Sequence, residues 1–432
     1  MVLTAAGCSA EQTPDASPSS SPAGPATPST DLPTAPSAAE RGAIVARSAM
    51  AVDPSGPLAD VAVTRVVYRS SAGYAPGDPD GTFGTEVSGI VAVPSGTPPR
   101  GGWPIVAYGH GTTGTASNCG PSGYPDLLGG ASTIASLVSR GYVVAASDYQ
   151  GLSGPGTAAD ARVTSVPHPY LDTDTVARNM IDMVRAARTI VPQAGTRWAS
   201  MGASQGGQAA WAAGEAAATD YGSGLQFVGA AALAPAADVS PIADGYDAQP
   251  YAAPTFTQIQ IAFIPLIVDG LRAVYPDLPV EEYMRGGLAA GAQALTSCGS
   301  GSAFSKYSAL TGVQPGDAAI RSASALRQLH SMLAADALPQ RRSAAPLFVG
   351  YGDSDQIITP SWTAGAVARA CAMGDTIERT VAVGKGHTNT GLTPSAIDDS
   401  LTTYLLRRTA DTRLQPVVRA LGRAEARPTP PS

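Results

Sequence analysis

The segment Gly202-Ala203-Ser204-Gln205-Gly206 is the first group of residues that could perform chemistry. A serine with a glycine two positions away on each side is typical of a sharp strand-to-helix turn that exposes a nucleophile. Residues 197–201 have strand character and residues 206–219 have helix character, so the context fits. A strand–helix turn without a catalytic role is the alternative. We predict that Ser204 is a nucleophile at a helix N-terminus, where negative charge on a substrate oxygen is stabilised.

A serine nucleophile needs a general base, and the chain has only four histidines. His110 follows an early strand, His168 lies between two prolines, and His330 falls in a helical region. His387 lies in a glycine-rich segment just after the last predicted strand, where hydrolases with this type of serine turn carry their base. We therefore predict His387 as the base, the alternative being a histidine on a surface loop.

The acid that orients the base is expected between Ser204 and His387 in sequence, after the penultimate strand. Asp355 lies there and is followed by an apolar pair and a proline. It would hold the His387 ring in the correct tautomer and stabilise its charged form. Asp353, two residues earlier, is the second candidate.

Stabilisation of an oxyanion requires two N–H donors near the nucleophile. We predict the backbone N–H of Gln205, which follows the nucleophile, as the first donor. The second is expected from the turn after the strand at 103–108, and Thr112 is our candidate. We interpret His110 as a residue that shapes this turn and Asp148 as structural.

Composition excludes several functional classes. The formal net charge of the 432 residues is −7 and no Lys/Arg cluster is present, so we predict no nucleic-acid partner. None of the four cysteines forms a Cys-x-x-Cys pair, which argues against a zinc knuckle, and we predict no metal or organic cofactor. No run of about 18 apolar residues occurs, so we expect no membrane-spanning helix.

The elements that must position these residues alternate along the chain. Val- and Ile-rich segments at 61–68 and 86–94 predict an antiparallel start. Residues 174–191 predict a long amphipathic helix. The other predicted elements are strands at 103–108, 142–147, 197–201, 227–233, 346–350 and 380–383, and helices at 131–140, 206–219 and 394–408. This alternation predicts an α/β fold, with a mostly parallel central sheet covered by helices on both faces.

The alternation stops between residues 236 and 339, where the helix-like segments 255–275, 280–295 and 319–335 dominate. We predict a helical cap at 236–339, inserted into a core formed by residues 41–235 and 340–410. The apolar stretch 256–274 would line an acyl pocket, contact lipid, or form the ordinary core of the cap.

The two ends of the chain have a different character. Residues 9–40 are rich in Ser, Pro, Ala and Thr, which predicts a disordered linker, and we expect residues 411–432 to form a flexible tail. Residues 1–8 resemble a truncated lipoprotein signal, because small residues precede Cys8, although the charged region and most of the apolar region are missing. We expect a protein that is secreted or anchored to the outer face of the cell membrane through a lipid on Cys8; an incidental cysteine in a flexible tail is the alternative.

Taken together, these motifs resemble the secretory lipase family of α/β-hydrolases, typified by the yeast lipase A and its actinobacterial relatives. The resemblance spans roughly residues 60–408 and implies an α/β-hydrolase core with an inserted helical cap, and hydrolysis of acyl esters, often of lipids. The residues that carry it are Tyr108-Gly109-His110-Gly111-Thr112, Asn118-Cys119-Gly120-Pro121-Ser122, Ser147-Asp148-Tyr149-Gln150-Gly151-Leu152, the Ser204 turn, Asp355 and His387.

The family resemblance also implies a disulfide between Cys119 and Cys298, which would tie the cap to the core in an oxidising compartment. Cys371 would then be left over as a buried thiol. The chain departs from the family in its cap, which is less aromatic than a typical lipase lid.

We therefore expect a serine ester hydrolase, either a lipase or an esterase for shorter acyl chains, that acts on a small-molecule or lipid ester. Contact with a membrane surface would be made through the lipid anchor or the cap, and the sequence does not indicate an oligomeric state. One alternative is cleavage of another acyl bond, in an amide, a thioester or an acetylated polysaccharide. The other is a non-catalytic surface binding protein on a hydrolase scaffold.

Overall fold

A computed structural model describes residues 2–4, 32–155, 160–246, 256–298 and 302–387. Ten strands in this part of the chain form one sheet in the order β1-β10-β9-β8-β7-β5-β6-β4-β3-β2. The strands are β1 (Val2–Thr4), β2 (Ile44–Ala49), β3 (Ala62–Ser71), β4 (Gly84–Val93), β5 (Trp103–Gly109), β6 (Val143–Ser147), β7 (Ala194–Ala203), β8 (Gln226–Leu233), β9 (Leu347–Gly352) and β10 (Ile377–Ala382).

The sheet is mixed, with a parallel centre. Strands β6, β5, β7, β8, β9 and β10 pair in parallel, whereas β2, β3 and β4 pair antiparallel at one edge and β1 pairs antiparallel with β10 at the other. The antiparallel pair β3–β4 confirms the predicted antiparallel start. β2 was not predicted from the sequence.

Helices cover both faces of the sheet. Because side chains alternate along a strand, Ile105 and Ala107 of β5 pack into one apolar core and Val106 and Tyr108 pack into another. The helices are α1 (Ala131–Ser139), α2 (Asp160–Val163), α3 (Thr173–Ile190), α4 (Gln205–Ala216), α5 (Gln258–Val274), α6 (Gly286–Thr296), α7 (Ser302–Thr311), α8 (Ala323–Ala335) and α9 (Pro360–Ala372). Helices α3 and α4 contribute to the first core and α1 to the second. The predicted α/β fold, with helices on both faces, is therefore confirmed.

Helices α5 to α8 lie between β8 and β9 in the chain and share an apolar core that also includes Tyr170, Leu171 and Ile358 from outside this insertion. Helix α5 begins with a capping box, in which the Thr257 hydroxyl accepts from the Gln260 N–H and the Gln260 side chain accepts from the Thr257 N–H. The exact division at residues 236 and 339 stays a prediction. No helix among the described residues is both long enough and apolar enough to cross a bilayer.

Several predictions concern residues outside the described part of the chain. These are Cys8, the first part of the linker (residues 9–31), the closing helix at 394–408 and the tail at 411–432. The last residues assigned to the linker are described: the Pro33 carbonyl accepts a 2.6 Å hydrogen bond from the Gly84 N–H at the start of β4. This contact joins the end of that segment to the antiparallel edge of the sheet.

Candidate active site

Ser204 lies on a sharp turn between β7 and α4. Its backbone has φ 58° and ψ −119°, a conformation that costs a non-glycine residue on the order of 1–3 kcal/mol. The turn is closely packed, since a Cβ on Gly206 would lie 2.0 Å from the Gly109 carbonyl oxygen and one on Gly202 would lie 2.3 Å from the Gly206 carbonyl oxygen. The glycines of the motif are therefore required by packing, and the arrangement is that of a nucleophile elbow.

His387 and Asp355 lie beside this serine. In the His387 ring, Nε2 lies 3.0 Å from Ser204 Oγ and Nδ1 lies 2.7 Å from Asp355 Oδ2. A carboxylate only accepts hydrogen bonds, so Nδ1 carries the proton and Nε2 is free to accept the proton of Ser204. The Asp355 side chain is fully buried and that of His387 is one-tenth exposed, at 0% and 10%.

The second oxygen of Asp355 is also bound. Oδ1 accepts hydrogen bonds from the N–H groups of Ile357 and Ile358, at 2.9 and 3.0 Å. Asp353 is directed elsewhere, because its Oδ1 accepts from the Gly384 N–H and the Ser354 hydroxyl on the exposed side of the loop. Of the two candidates for the acid, only Asp355 contacts the histidine.

The turn that carries Thr112 lies against the start of α4, through the contact between Gly109 and Gly206. Gln205 is the first residue of α4, where N–H groups have no partner within the helix. The Thr112 N–H also meets no acceptor among the residues described. Both groups can therefore donate to a ligand. The Thr112 hydroxyl is 2.8 Å from the hydroxyl of Tyr170 and pairs with it.

The other three histidines do not contact the Ser204 hydroxyl. His110 is buried, with Nδ1 at 2.7 Å from the Gly111 carbonyl, and burial lowers its pKa. His168 is buried in the loop before α3, and burial lowers its pKa to about 3. His330 is on the exposed face of α8. Since all four histidines are described, His387 alone contacts Ser204.

Asp148 joins segments of the core next to the turn at residues 109–113, the predicted oxyanion turn. One oxygen accepts from the Ser88 hydroxyl of β4 at 2.5 Å, and the other accepts from the Ser122 N–H at 2.9 Å. Asp148 is 2% exposed. Its contacts are those of a structural residue.

An apolar cleft opens at Ser204. Phe263 and Ile267 of α5 form part of its wall, and Ile264, Ile267 and Val268 of the same helix belong to the cap core. Helix α5 therefore serves both as a cleft wall and as cap core. The other lining residues are Tyr170, Leu171, Ala236, Val239, Ile242, Gln260, Ile357, Ile358 and Trp362.

The sequence did not single out Val239, Ile242 or Trp362 as lining residues. Their only signal was position, because they follow β8 and the Asp355 loop at the edge of the sheet where Ser204 lies. Apolar residues that follow a strand are read as core unless the fold is known.

The cap is fastened to the core at both sides of the cleft. On one side, Cys119 and Cys298 form a disulfide with a Cα–Cα distance of 5.4 Å, and the N–H of Thr115 donates to the Thr296 carbonyl at 3.0 Å. On the other side, the Gln260 side chain of α5 donates to the Ile357 carbonyl at 3.0 Å. These contacts connect the cap to the oxyanion turn and to the Asp355 loop.

Cys371 does not match the expectation of a leftover buried thiol. It is itself disulfide-bonded and lies at a half-buried position near the end of α9. The prediction was wrong because it considered only the pair implied by the family resemblance and assigned no partner to Cys371.

No group of three or more His, Cys, Asp or Glu side chains suited to a metal ion occurs in the described ranges.

The fold and the nucleophile elbow define an α/β-hydrolase with an inserted helical cap. The model of the secretory lipase family matches residues 130–400, and the chain belongs to that family. Membership places it among hydrolases that act on ester bonds.

Two solved structures illustrate the likeness of the fold. The rice cell wall degrading esterase LipA from Xanthomonas oryzae aligns with a TM-score of 0.63 at 17% identity, covering 85% of this chain and 99% of its own. Candida antarctica lipase A aligns with a TM-score of 0.60 at 16% identity, covering 90% of this chain and 83% of its own. No curated protein matches the sequence significantly.

Proposed function

We propose that the protein is a serine carboxylic ester hydrolase in which Ser204, His387 and Asp355 act as nucleophile, base and acid. The observation that carries the proposal is the continuous chain of hydrogen bonds from Ser204 Oγ through the His387 ring to Asp355, at 3.0 and 2.7 Å. The strained elbow and the family membership support the same conclusion.

The reaction has two steps. Ser204 Oγ attacks the ester carbonyl while His387 Nε2 takes the hydroxyl proton, and the N–H groups of Gln205 and Thr112 stabilise the oxyanion. The tetrahedral intermediate collapses, His387 returns the proton to the departing alcohol, and an acyl-enzyme remains. Water, activated by the same nitrogen, then attacks the acyl carbon, and the carboxylic acid leaves as Ser204 recovers its proton.

Asp355 supports both steps without exchanging a proton. Its buried carboxylate accepts the Nδ1–H of His387 and stabilises the imidazolium that forms in each step. The two hydrogen bonds from the N–H groups of Ile357 and Ile358 fix the carboxylate in position.

The apolar lining of the cleft supports the proposal that the acyl group of the substrate is apolar. Its polar members are already paired: the Tyr170 hydroxyl with Thr112, and the Gln260 amide with Thr257 and the Ile357 carbonyl. An acyl chain buried there contributes about 0.8 kcal/mol per methylene through removal of apolar surface from water. A polar or charged acyl group would lose its hydration without finding partners.

Labelling with a fluorophosphonate and hydrolysis of p-nitrophenyl esters of rising chain length test the proposal. We expect labelling of the wild-type protein and none of Ser204→Ala, while Ser139→Ala, on the exposed face of α1, is labelled like the wild type. Turnover of these esters should exceed that of the p-nitroanilides of the same acids. Absence of labelling at Ser204 in the folded protein would overturn the proposal.

We further propose that the protein acts outside the cytoplasm. Disulfides persist in oxidising compartments, and Cys119–Cys298 is one. Anchoring through a lipid on Cys8 concerns a residue outside the described part of the chain and stays a prediction; it requires a free Cys8 thiol, and Cys8 is the one cysteine of the sequence besides the Cys119–Cys298 pair and the disulfide-bonded Cys371. Metabolic labelling with an alkynyl fatty acid tests it: incorporation into the wild type and its loss in Cys8→Ser are expected.

A further inference from the structure

His168 makes one contact that the proposed mechanism does not use. Its Nε2 lies 2.9 Å from Nε2 of the Gln205 side chain, and its Nδ1 lies 2.9 Å from the Gln150 carbonyl oxygen. The imidazole and the amide are both buried, at 2% and 1% exposure. Gln205 is the residue whose backbone N–H is proposed to stabilise the oxyanion.

The direction of both hydrogen bonds follows from the carbonyl. Since the Gln150 carbonyl can only accept, Nδ1 of His168 carries the ring proton and Nε2 presents a lone pair. The Gln205 amide nitrogen therefore donates to His168. The amide oxygen of Gln205 has no hydrogen-bond partner among the described residues, so this single bond anchors the side chain.

Neighbouring rings fix the position of His168. Tyr149 stacks on one side, with ring centroids 6.2 Å apart and planes inclined by 11°, and Tyr170 packs at 6.1 Å. Gly151 allows its backbone to approach that of His168, because a Cβ on Gly151 would lie 2.4 Å from the backbone nitrogen of His168.

The same rings contact the other half of the oxyanion site. The Tyr149 hydroxyl donates to the His110 carbonyl at 3.1 Å, and the Tyr170 hydroxyl lies 2.8 Å from the Thr112 hydroxyl. His110 and Thr112 both belong to the oxyanion turn. His168 and Tyr170 thus contact the two proposed donor residues, Gln205 and Thr112, through side-chain hydrogen bonds.

We infer that His168 is a positioning residue for the oxyanion site: by accepting a hydrogen bond from the Gln205 side chain it holds the peptide between Ser204 and Gln205 in the orientation that directs the Gln205 N–H at the oxyanion. The inference rests on the proposed function. The carbonyl of this peptide accepts from the N–H groups of Gln208 and Ala236, at 3.0 and 3.1 Å, and its serine has a strained backbone that persists only when several contacts hold it. The bond from the Gln205 side chain to His168 adds a third constraint, on the N–H side of the peptide.

The role requires a neutral imidazole. Burial lowers the pKa of His168 to about 3, so the lone pair on Nε2 is available throughout the neutral pH range. His168 takes no part in proton transfer.

Three variants separate positioning from packing. His168→Phe keeps a ring between the two tyrosines and removes the acceptor, and Gln205→Met keeps the length of the side chain and removes the donor. We expect each to lower kcat about 10- to 100-fold with a much smaller change in KM, because misplacement of a transition-state donor affects the chemical step. His168→Gln, whose amide oxygen can occupy the position of Nε2, should recover part of kcat.

The double variant His168→Phe/Gln205→Met supplies the decisive comparison. If His168 acts through Gln205, the double variant is no slower than either single variant, since the effects of coupled residues do not add. Multiplicative losses would overturn the inference. His330→Phe, on the exposed face of α8, is the matched control and should retain the wild-type kcat.

The outcomes also separate this inference from the proposed function. Wild-type turnover with an unchanged kcat in His168→Phe overturns the inference and leaves the ester hydrolase standing. Absence of wild-type turnover overturns both. If His168→Phe does not fold, as judged by near-UV circular dichroism, the kcat of Gln205→Met and of His168→Gln decides, and wild-type values in both would overturn the inference.

Discussion

The hydroxyl of Thr115 donates a 2.7 Å hydrogen bond to Asp269 on α5, which joins the cap to the segment that follows the oxyanion turn. Asp269 is half-buried, and burial raises its pKa despite this bond. The bond lies on the same side of the cleft as the disulfide of Cys119.

Thr115→Val should therefore weaken the attachment of the cap. It preserves the shape of the side chain but leaves Asp269 without this donor, which we expect to lower the free energy of unfolding by about 1–2 kcal/mol. Urea denaturation of the variant and the wild type measures the difference. Thr311→Val, at the exposed end of α7, should stay within about 0.5 kcal/mol of the wild type. Equal values for the two variants would contradict this role of Asp269.

Removal of the disulfide should destabilise the protein more strongly. Cys119 and Cys298 are 179 residues apart, and loss of such a cross-link typically costs about 2–5 kcal/mol. We expect Cys119→Ser/Cys298→Ser to unfold at a lower temperature than the wild type under oxidising conditions. The double variant is needed because a reductant would also act on the disulfide of Cys371. An unchanged melting temperature would show that hydrogen bonds alone fasten the cap.

The two neighbouring aspartates provide a matched pair for the proposed mechanism. Asp355→Asn removes the acceptor that selects the His387 tautomer, and we expect kcat to fall about 10³- to 10⁴-fold. Asp353→Asn alters a carboxylate that contacts Gly384 and Ser354, and kcat should stay close to the wild-type value. Steady-state kinetics on one p-nitrophenyl ester measures both. A larger loss in Asp353→Asn would reverse the assignment of the acid.

Glu215 on α4 should make stability depend on pH. Burial raises its pKa from the ordinary value of 4.5 to about 7, although the N–H groups of Gln340 and Arg341 donate to one of its oxygens. Between pH 4.5 and pH 7 the folded state binds more protons than the unfolded state. The contribution of Glu215 to stability is therefore greatest below pH 4.5 and declines as the pH rises to 7.

Glu215→Gln should remove that decline. Relative to the wild type, the variant should gain roughly 3 kcal/mol between pH 4.5 and pH 7, as a shift of this size implies. Urea denaturation at several pH values measures the difference, and Glu281→Gln, on the exposed surface of the cap, controls for the change in net charge. A constant difference between Glu215→Gln and the wild type across the window would refute the prediction.

Much of the parallel core could be predicted because its pattern is local. The helix predicted at 174–191 is α3 at Thr173–Ile190, and the strand predicted at 227–233 is β8 at Gln226–Leu233. Their apolar spacing is set by burial on one face of the helix and on both faces of the strand. The position of His387 beside Ser204 agrees with the predicted pairing of those residues.

Other features depend on contacts distant in sequence. Helix α9 was not predicted: its alanines and glycine lack a clear apolar stripe, and packing of Ala366, Val367 and Ala370 against the sheet accounts for its place in the core. The pairing of Cys371 and the ring contacts of His168 likewise arise from the folded arrangement. No spacing along the chain encodes them.

The loop of Asp355 has two roles in one short stretch. The N–H groups of Ile357 and Ile358 hold the carboxylate, and the side chains of the same residues line the cleft. A substitution that reshapes this wall to admit a bulkier substrate would therefore also disturb the proton relay. Natural variation in selectivity should accumulate instead at Phe263 and Ile267 of α5, whose backbone N–H groups do not bind the acid. Engineering for new substrates has the same preferred starting point.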